Sequence, residues 1–237
     1  TEFINALDGL SLETDGLGII ATDHPKTREA IRQVCESGVR VVTLASDVSS
    51  TTRSAYVGVN NRVAGGTAAQ IMAMQIKDCS GTIAVFCGSR AFHGHQEREA
   101  GFVSYMAEHE PELKALSSIE TDELSHRLRT EMASLLRSES KLVGIYCVGA
   151  GRKGIIEALK GQIPRPVVVM HDLNKNSRAW LMNNKIDAVI DQNARLVGER
   201  AVINLLGAIA SGPKKLSFQH IEPRIILREN IPVERWV

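Results

Sequence analysis

Along this chain, short runs of Val, Ile, Leu and Ala recur between longer stretches where apolar residues return every three or four positions. The short runs read as strands: 16–21, 39–44, 55–59, 82–87, 114–119, 142–148, 166–171 and 188–192. The stretches between them read as helices near 26–37, 62–77, 95–108, 122–137, 151–160, 174–183 and 194–210. Pro25 ahead of one such stretch and Gly38 behind it match the residues that start and stop helices. Strands that are apolar throughout, each followed by a helix, predict parallel sheets covered by helices.

The units between about 81 and 192 are self-sufficient, whereas the chain before residue 60 supplies only three strands. The helix at 194–210 can return to that first group. The expected fold is therefore α/β with two doubly wound parallel-sheet lobes. The first lobe takes 1–60 and 193–221, and the second 61–192 and 222–237. The tail, "LSFQHIEPRIILRENIPVERWV", reads as an extended crossing segment ending in one short strand. In such sheets ligands gather at the carboxyl ends of the strands, so a ligand is expected in a cleft facing the carboxyl ends of both sheets.

Charge narrows the choice of ligand. With 28 basic and 27 acidic residues the net charge is +1, and the basic residues are scattered, so the chain carries no footprint for nucleic acid or an anionic membrane. No apolar run is long enough for a membrane-spanning helix, and the first ten residues do not read as a signal peptide. The four cysteines (Cys35, Cys79, Cys87 and Cys147) form no C-x-x-C pair. They read as small hydrophobes in a reducing cytoplasm.

One motif pulls another way. "LVGIYCVGAGRKGIIEAL" runs from a strand through Gly149-x-Gly151-x-x-Gly154 into a helix, with Asp172 closing the next strand. That is the form of a dinucleotide-binding fingerprint. It opens the third unit of the second lobe rather than a first unit, and no acid–base or nucleophile set accompanies it, so the glycines read as a tight turn. His93-Gly-His95 lacks a third ligand of matching spacing and reads as a solvated loop. Ser89 lacks the G-x-S-x-G elbow of a nucleophile.

The strand-end loops hold Asp23 and His24; Ser46 and Asp47; Asn60 and Asn61; Ser89 to Arg98; Asp122 and Glu123; Cys147 to Gly151; His171 and Asp172; and Asp191 and Gln192. Carboxylates, amides and an arginine fork onto neighbouring hydroxyls, which suits a polyol or sugar. Any one of them is also a natural helix cap or turn residue.

Several segments in order resemble one family. "GLGIIATDHP", "VRVVTLASD", "YVGVNNRVAGGTAAQIM", "IAVFCGSRAFHGHQEREAGF", "IDAVIDQNARLVGERAV" and "IILRENIP" are similar to the sugar-binding region of LacI/GalR-type transcriptional regulators, which shares the fold of periplasmic sugar-binding proteins. The resemblance implies a pocket. In it Asp23, His24, Ser46 and Asp47 serve from the first lobe. Arg98 reaches the sugar from the second, Glu123 stands near an aromatic's usual place, Gly149 offers backbone, and Asp172 and Gln192 contact ligand. Phe92 and Trp180 are the aromatics expected to supply a stacking face, since the chain has only ten. The family opens this domain with a β-α-β unit that does not precede "TEFINALDGL", so the first lobe is expected to lack it.

The resemblance implies a cytoplasmic homodimer that binds a small effector, with no cofactor, no metal and no enzymatic activity. DNA would be contacted only through an N-terminal helix-turn-helix outside this chain. The alternative is a periplasmic sugar-binding protein serving an ABC transporter. A nucleotide-dependent Rossmann enzyme is the third reading.

Overall fold

A computed structural model describes residues 2–11, 14–49, 52–78, 80–212 and 219–233. The chain divides into two compact units. Unit 1 comprises residues 1–60, 91–94 and 192–222, and unit 2 comprises 61–90, 95–191 and 223–237.

Among the described residues unit 1 is built on four parallel strands. They are β1 (Gly16–Ile19), β2 (Arg40–Leu44), β3 (Ala55–Val59) and β10 (Gln219–Ile221), in that spatial order. Helix α1 (Glu2–Ser11) packs on α2 (Pro25–Glu36), and their cluster holds Leu7, Ala30, Ile31, Val34 and Val41. Alternation along β2 sends Val42 to the other face, where α8 (Ala194–Ser211) runs against β1, β2 and β3. No helix over 2–11 was expected from the pattern. Phe3, Ile4, Leu7 and Leu10 do keep a helical spacing, with Leu7 the buried member, but the run is short.

Unit 2 carries a seven-stranded sheet. It contains β4 (Gly81–Cys87), β5 (Leu113–Ala115), β6 (Ile119–Glu120), β7 (Leu142–Cys147), β8 (Val167–His171), β9 (Ala188–Asp191) and β11 (Arg224–Ile226). The order is β11-β9-β8-β7-β4-β5, with β6 also beside β4; every pair is parallel except β11 with β9. The strand expected over 114–119 is thus two short ones. The tail expected to end in a single strand supplies β10 to one sheet and β11 to the other. Residues 213–218 and 234–237 of that tail, like Cys79, lie outside the described residues.

The helices of unit 2 are α3 (Asn61–Gln75), α4 (His93–His109), which begins within unit 1's 91–94, α5 (Ser125–Ser138), α6 (Lys153–Ala158) and α7 (Lys175–Met182). Phe86, Leu128, Met132, Ile145, Met170 and Val189 fill the core on one face of the sheet. Two glycines set the approach of α3 to α4. A Cβ on Gly65 would strike the Arg98 carbonyl, and one on Gly101 would strike the Arg62 carbonyl. This reciprocal contact fixes the start of α4, and so the height at which Arg98 enters the sheet's carboxyl edge.

Candidate functional site

In unit 2 the carboxyl edge gathers Arg98, Glu123, Gly149 and Asp172. Arg98 is 3% exposed. Its Nε donates to Asn61 Oδ1 at 2.7 Å and its Nη1 to the Val148 carbonyl at 3.2 Å, which leaves Nη2 without a hydrogen bond among the described residues. Two anchored nitrogens fix the plane of the guanidinium and therefore the direction in which the third can donate.

Glu123 sits in the left-handed region, at φ 63°, and its carboxylate comes to rest over two glycines. A Cβ on Gly149 would stand 2.8 Å from Glu123 Oε1 and 2.8 Å from the Gly88 Cα. Glu123 Oε1 also accepts from the Ala150 amide at 3.4 Å and lies 3.9 Å from His95 Nδ1. The other two glycines of the fingerprint have their own reasons. Gly151 turns the chain at φ +79°, and a Cβ on Gly154 would strike the Ser125 carbonyl where α6 packs on α5. All three positions are thus occupied by packing and turn geometry. The expected tight turn describes only Gly151.

Asp172 follows β8 at φ 64°, and its amide donates to the Ile190 carbonyl at 3.0 Å. Arg152 reaches back to the His171 and Asp172 carbonyls, with the Asp172 carboxylate 3.8 Å away. Beneath this edge His171 is fully buried, its Nε2 2.7 Å from the Tyr146 hydroxyl and its Nδ1 without a partner. Tyr146 in turn stacks on Phe102 with ring centroids 4.3 Å apart.

Burial, then the charges of Arg98, His95 and Arg152, hold His171 well below the ordinary histidine range, so it is neutral. Burial and then Arg98 lower His95 as well. Burial pushes the thiols of Cys87 and Cys147 up to about 12, which makes both poor nucleophiles. The edge therefore offers hydrogen-bond donors and acceptors of both signs and no activated nucleophile among its thiols. Among the described residues no group of three His, Cys, Asp or Glu could hold a metal ion.

In unit 1 the expected residues are largely engaged in shaping loops. His24 is the N-cap of α2, its Nδ1 accepting from the Lys26 amide at 3.2 Å. Asp23 receives the Ser49 amide at 3.1 Å, the Ser49 hydroxyl at 2.6 Å and Arg28 at 2.9 Å. Burial raises its pKa, but the bonds from Ser49 and Arg28 outweigh that and hold the carboxyl below its ordinary value. Asp47 accepts from Thr43 at 2.7 Å and from the Val48 amide at 2.9 Å, and it pairs with Arg53. Ser46 is buried and accepts the Gly94 amide at 3.1 Å. Phe92 and Gln192 are half-buried.

The structure thus brings Arg98, Glu123 and Gly149 together and places Asp172 on the same edge. Trp180 does not join them. It lies on α7, partly buried and packed against unit 2's hydrophobic core. Sequence reasoning missed Arg152, which occupies a variable position of the glycine fingerprint, and Arg53, which lies far along a loop from Asp47. Asn61 stood among the strand-end polar residues, but nothing in the sequence marked it as the anchor of Arg98.

A family model described as a periplasmic binding protein domain matches residues 2–214. No curated protein sequence matches the chain significantly. Among solved structures, a glucose-galactose binding protein, GanP, from Geobacillus stearothermophilus superposes with a TM-score of 0.88 at 20% identity, over 97% of this chain and 82% of that one. A sugar ABC transporter's sugar-binding protein from Bacillus halodurans gives 0.87 at 21% identity, over 96% and 82%. A solute-binding protein from Burkholderia graminis in complex with D-arabinose gives 0.88 at 23% identity, over 96% and 81%. At these identities the likeness establishes the fold.

These findings overturn the regulator expected from the resemblance. The fold it implied is present, but the matching family and the similar structures are those of binding proteins, several of them parts of transporters. The two classes share one fold, so a resemblance at the level of the fold could not separate them. The family is one of binding proteins rather than of enzymes. With its model spanning residues 2–214, the chain belongs to the periplasmic binding protein domain family.

Proposed function

We propose that this chain is the sugar-binding component of an ABC transporter, taking a small neutral pentose or hexose. The observation that carries the reading is Arg98, a buried guanidinium held by Asn61 and Val148 with Nη2 still to donate, on the same edge as two carboxylates. Fixed donors beside carboxylate acceptors match the hydroxyl rows of a sugar, and Glu123 and Asp172 disfavour a phosphate or other anion. Unit 2's candidate contacts are Arg98, Glu123, the Gly149 backbone and Asp172. The similar proteins are described as binding glucose and galactose, arabinose or fucose, which supports a sugar of this size. Such a component meets its ligand outside the cytoplasmic membrane, so this reading places the chain there instead of in the cytoplasm.

The test is thermal unfolding with arabinose, xylose, glucose, galactose and fucose, alongside sugar phosphates and NAD. A ligand at 100 times its Kd stabilises by about 2.7 kcal/mol, a shift of a few degrees. The expected result is a shift with one or two free sugars, weakened at least tenfold in affinity by Asp172→Asn while the unliganded midpoint stays in place. A shift with NAD alone, or none with any sugar at millimolar concentration, overturns the reading.

A further inference from the structure

Asp172 owes its place to more than β8. The strand ends at His171, and Asp172 turns at once into the left-handed region, which side chains enter at a cost that neighbouring bonds must offset. Arg152 Nη1 donates to the carbonyls of both His171 and Asp172, with the latter at 3.2 Å. Ser177 Oγ donates to the Asp172 carbonyl at 2.9 Å, beside the capping box that opens α7. One residue on, the Leu173 amide donates to Asp191 Oδ1 at 3.0 Å, and Asp191 pairs with Arg224 of β11.

Among these groups Arg152 stands apart. Ser177 belongs to the cap of α7 and Asp191 to β9, so each serves its own element. Arg152 is the N-cap of α6, yet its side chain makes no capping bond there. Its guanidinium reaches instead from the turn after β7 to the end of β8, and only 14% of the side chain is exposed. The two carbonyls it bridges belong to the two peptides that flank the Asp172 Cα. Peptides are planar, so pinning both fixes the direction of the bond from Cα to Cβ, and with it where the carboxylate starts. The guanidinium also lies 3.8 Å from that carboxylate and draws it to one side.

We propose that Arg152 is a positioning residue of the ligand site, aiming the Asp172 carboxylate through the two peptides beside it. The inference rests on the sugar-binding reading for its ligand, and on the backbone geometry for its mechanism. An acceptor of fixed origin favours one arrangement of hydroxyls, whereas a loose one accepts several. Arg152 therefore governs the choice between stereoisomeric sugars as well as affinity, without touching the sugar itself.

The test takes Arg152→Met, which keeps the apolar stem and removes the donors, with Arg152→Lys, Asp172→Asn and the double variant Arg152→Met/Asp172→Asn. Amide exchange is followed by NMR without ligand, and affinity by calorimetry with arabinose, xylose, glucose, galactose and fucose. In Arg152→Met the amides of Asp172 and Leu173 should exchange about tenfold faster, while those of β7 and residues 167–170 keep their rates. Affinity for the preferred sugar should fall about tenfold and its lead over the other sugars should narrow, and this loss should largely vanish in the Asp172→Asn background. Arg152→Lys keeps the charge on a shorter arm and should behave as Arg152→Met does. Unchanged exchange at residues 172 and 173 overturns the proposal whether or not a sugar binds. Local loosening in a chain that binds none of the sugars upholds the positioning and sinks the sugar reading instead. Full rescue by lysine, equal losses for every sugar, a loss undiminished in the Asp172→Asn background, or faster exchange throughout β7 and β8 also overturns the proposal.

Discussion

The two units solve the same architectural problem to different extents. Unit 2 builds seven strands, buries a continuous core, and brings α3 and α4 together so closely that backbone carbonyls lie against Gly65 and Gly101. Among the described residues unit 1 has four strands, and α8 leaves four large apolar side chains in solvent. Its candidate carboxylates are engaged by neighbouring residues, Asp23 by Ser49 and Arg28, and Asp47 by Thr43 and Arg53. On unit 2's carboxyl edge Arg98 keeps one nitrogen, Nη2, without a hydrogen-bond partner among the described residues. The rigid, well-packed unit is the one that presents a directed donor, as precise recognition requires.

The sharpest way to break this contrast is Gly65→Ala. In a helix interior the change ordinarily stabilises by about 0.5–1 kcal/mol, because alanine has less backbone entropy to lose. Here the new methyl meets the Arg98 carbonyl, a backbone atom that cannot rotate away. The helices must separate, and the expected cost is about 3 kcal/mol, at the upper end for overpacking. Because Arg98 lies on α4, sugar affinity should fall with stability. Chemical denaturation with a binding titration checks both; an unchanged midpoint means that α3 and α4 are less tightly fixed than described.

The second contrast is in pH. His171 is held neutral, below its ordinary value of 6.5, and His95 is lowered too. A histidine depressed in the folded state binds its proton more readily when unfolded. Its contribution is therefore complete above pH 6.5 and is lost as pH falls from there towards the folded value. Each such group costs about 1.4 kcal/mol per pH unit in that window. Asp23 in unit 1 is lowered from 3.8, so its stabilisation is present above that pH and is lost only below it. Between pH 7 and 5, hydrogen exchange should therefore loosen in β7 and β8 while β2 and β3 hold. The slope should flatten in His171→Gln. Equal loosening in both units would remove the assignment to the histidines.

Much of this was legible in the sequence. The alternation of β-branched runs and amphipathic stretches foretold every strand of unit 2's centre, because parallel strands buried on both faces must be apolar at every position. The strands of two or three residues were harder: β5 and β6 merged into one, and the division of the tail between β10 and β11 was hidden, since so few residues carry no period. Arg98 was marked by its neighbourhood, "REAGF". Its anchor Asn61 is 37 residues away, and that bond exists only because two glycine contacts set the helices at one height. Such a pairing is a property of packing and leaves no local pattern. His24 and Asp47 illustrate the reverse case, in which a residue type suited to sugar is engaged as a cap or a loop anchor.

The smallest effect is also the cleanest comparison. Gly198 lies on the exposed side of α8 in unit 1, five residues into the helix, and a Cβ there would meet nothing within 4 Å. Its backbone is helical, so the entropic benefit of alanine is uncompensated. Gly198→Ala should stabilise by about 0.5–1 kcal/mol, read as a higher denaturation midpoint with the same slope. The substitution made at Gly65 is chemically identical and should act with the opposite sign. If both variants move the same way, helix propensity outweighs packing in this protein and the contrast between its units fails. If they diverge, the difference of about 4 kcal/mol measures how much more closely the helices of unit 2 are packed than the outward face of α8.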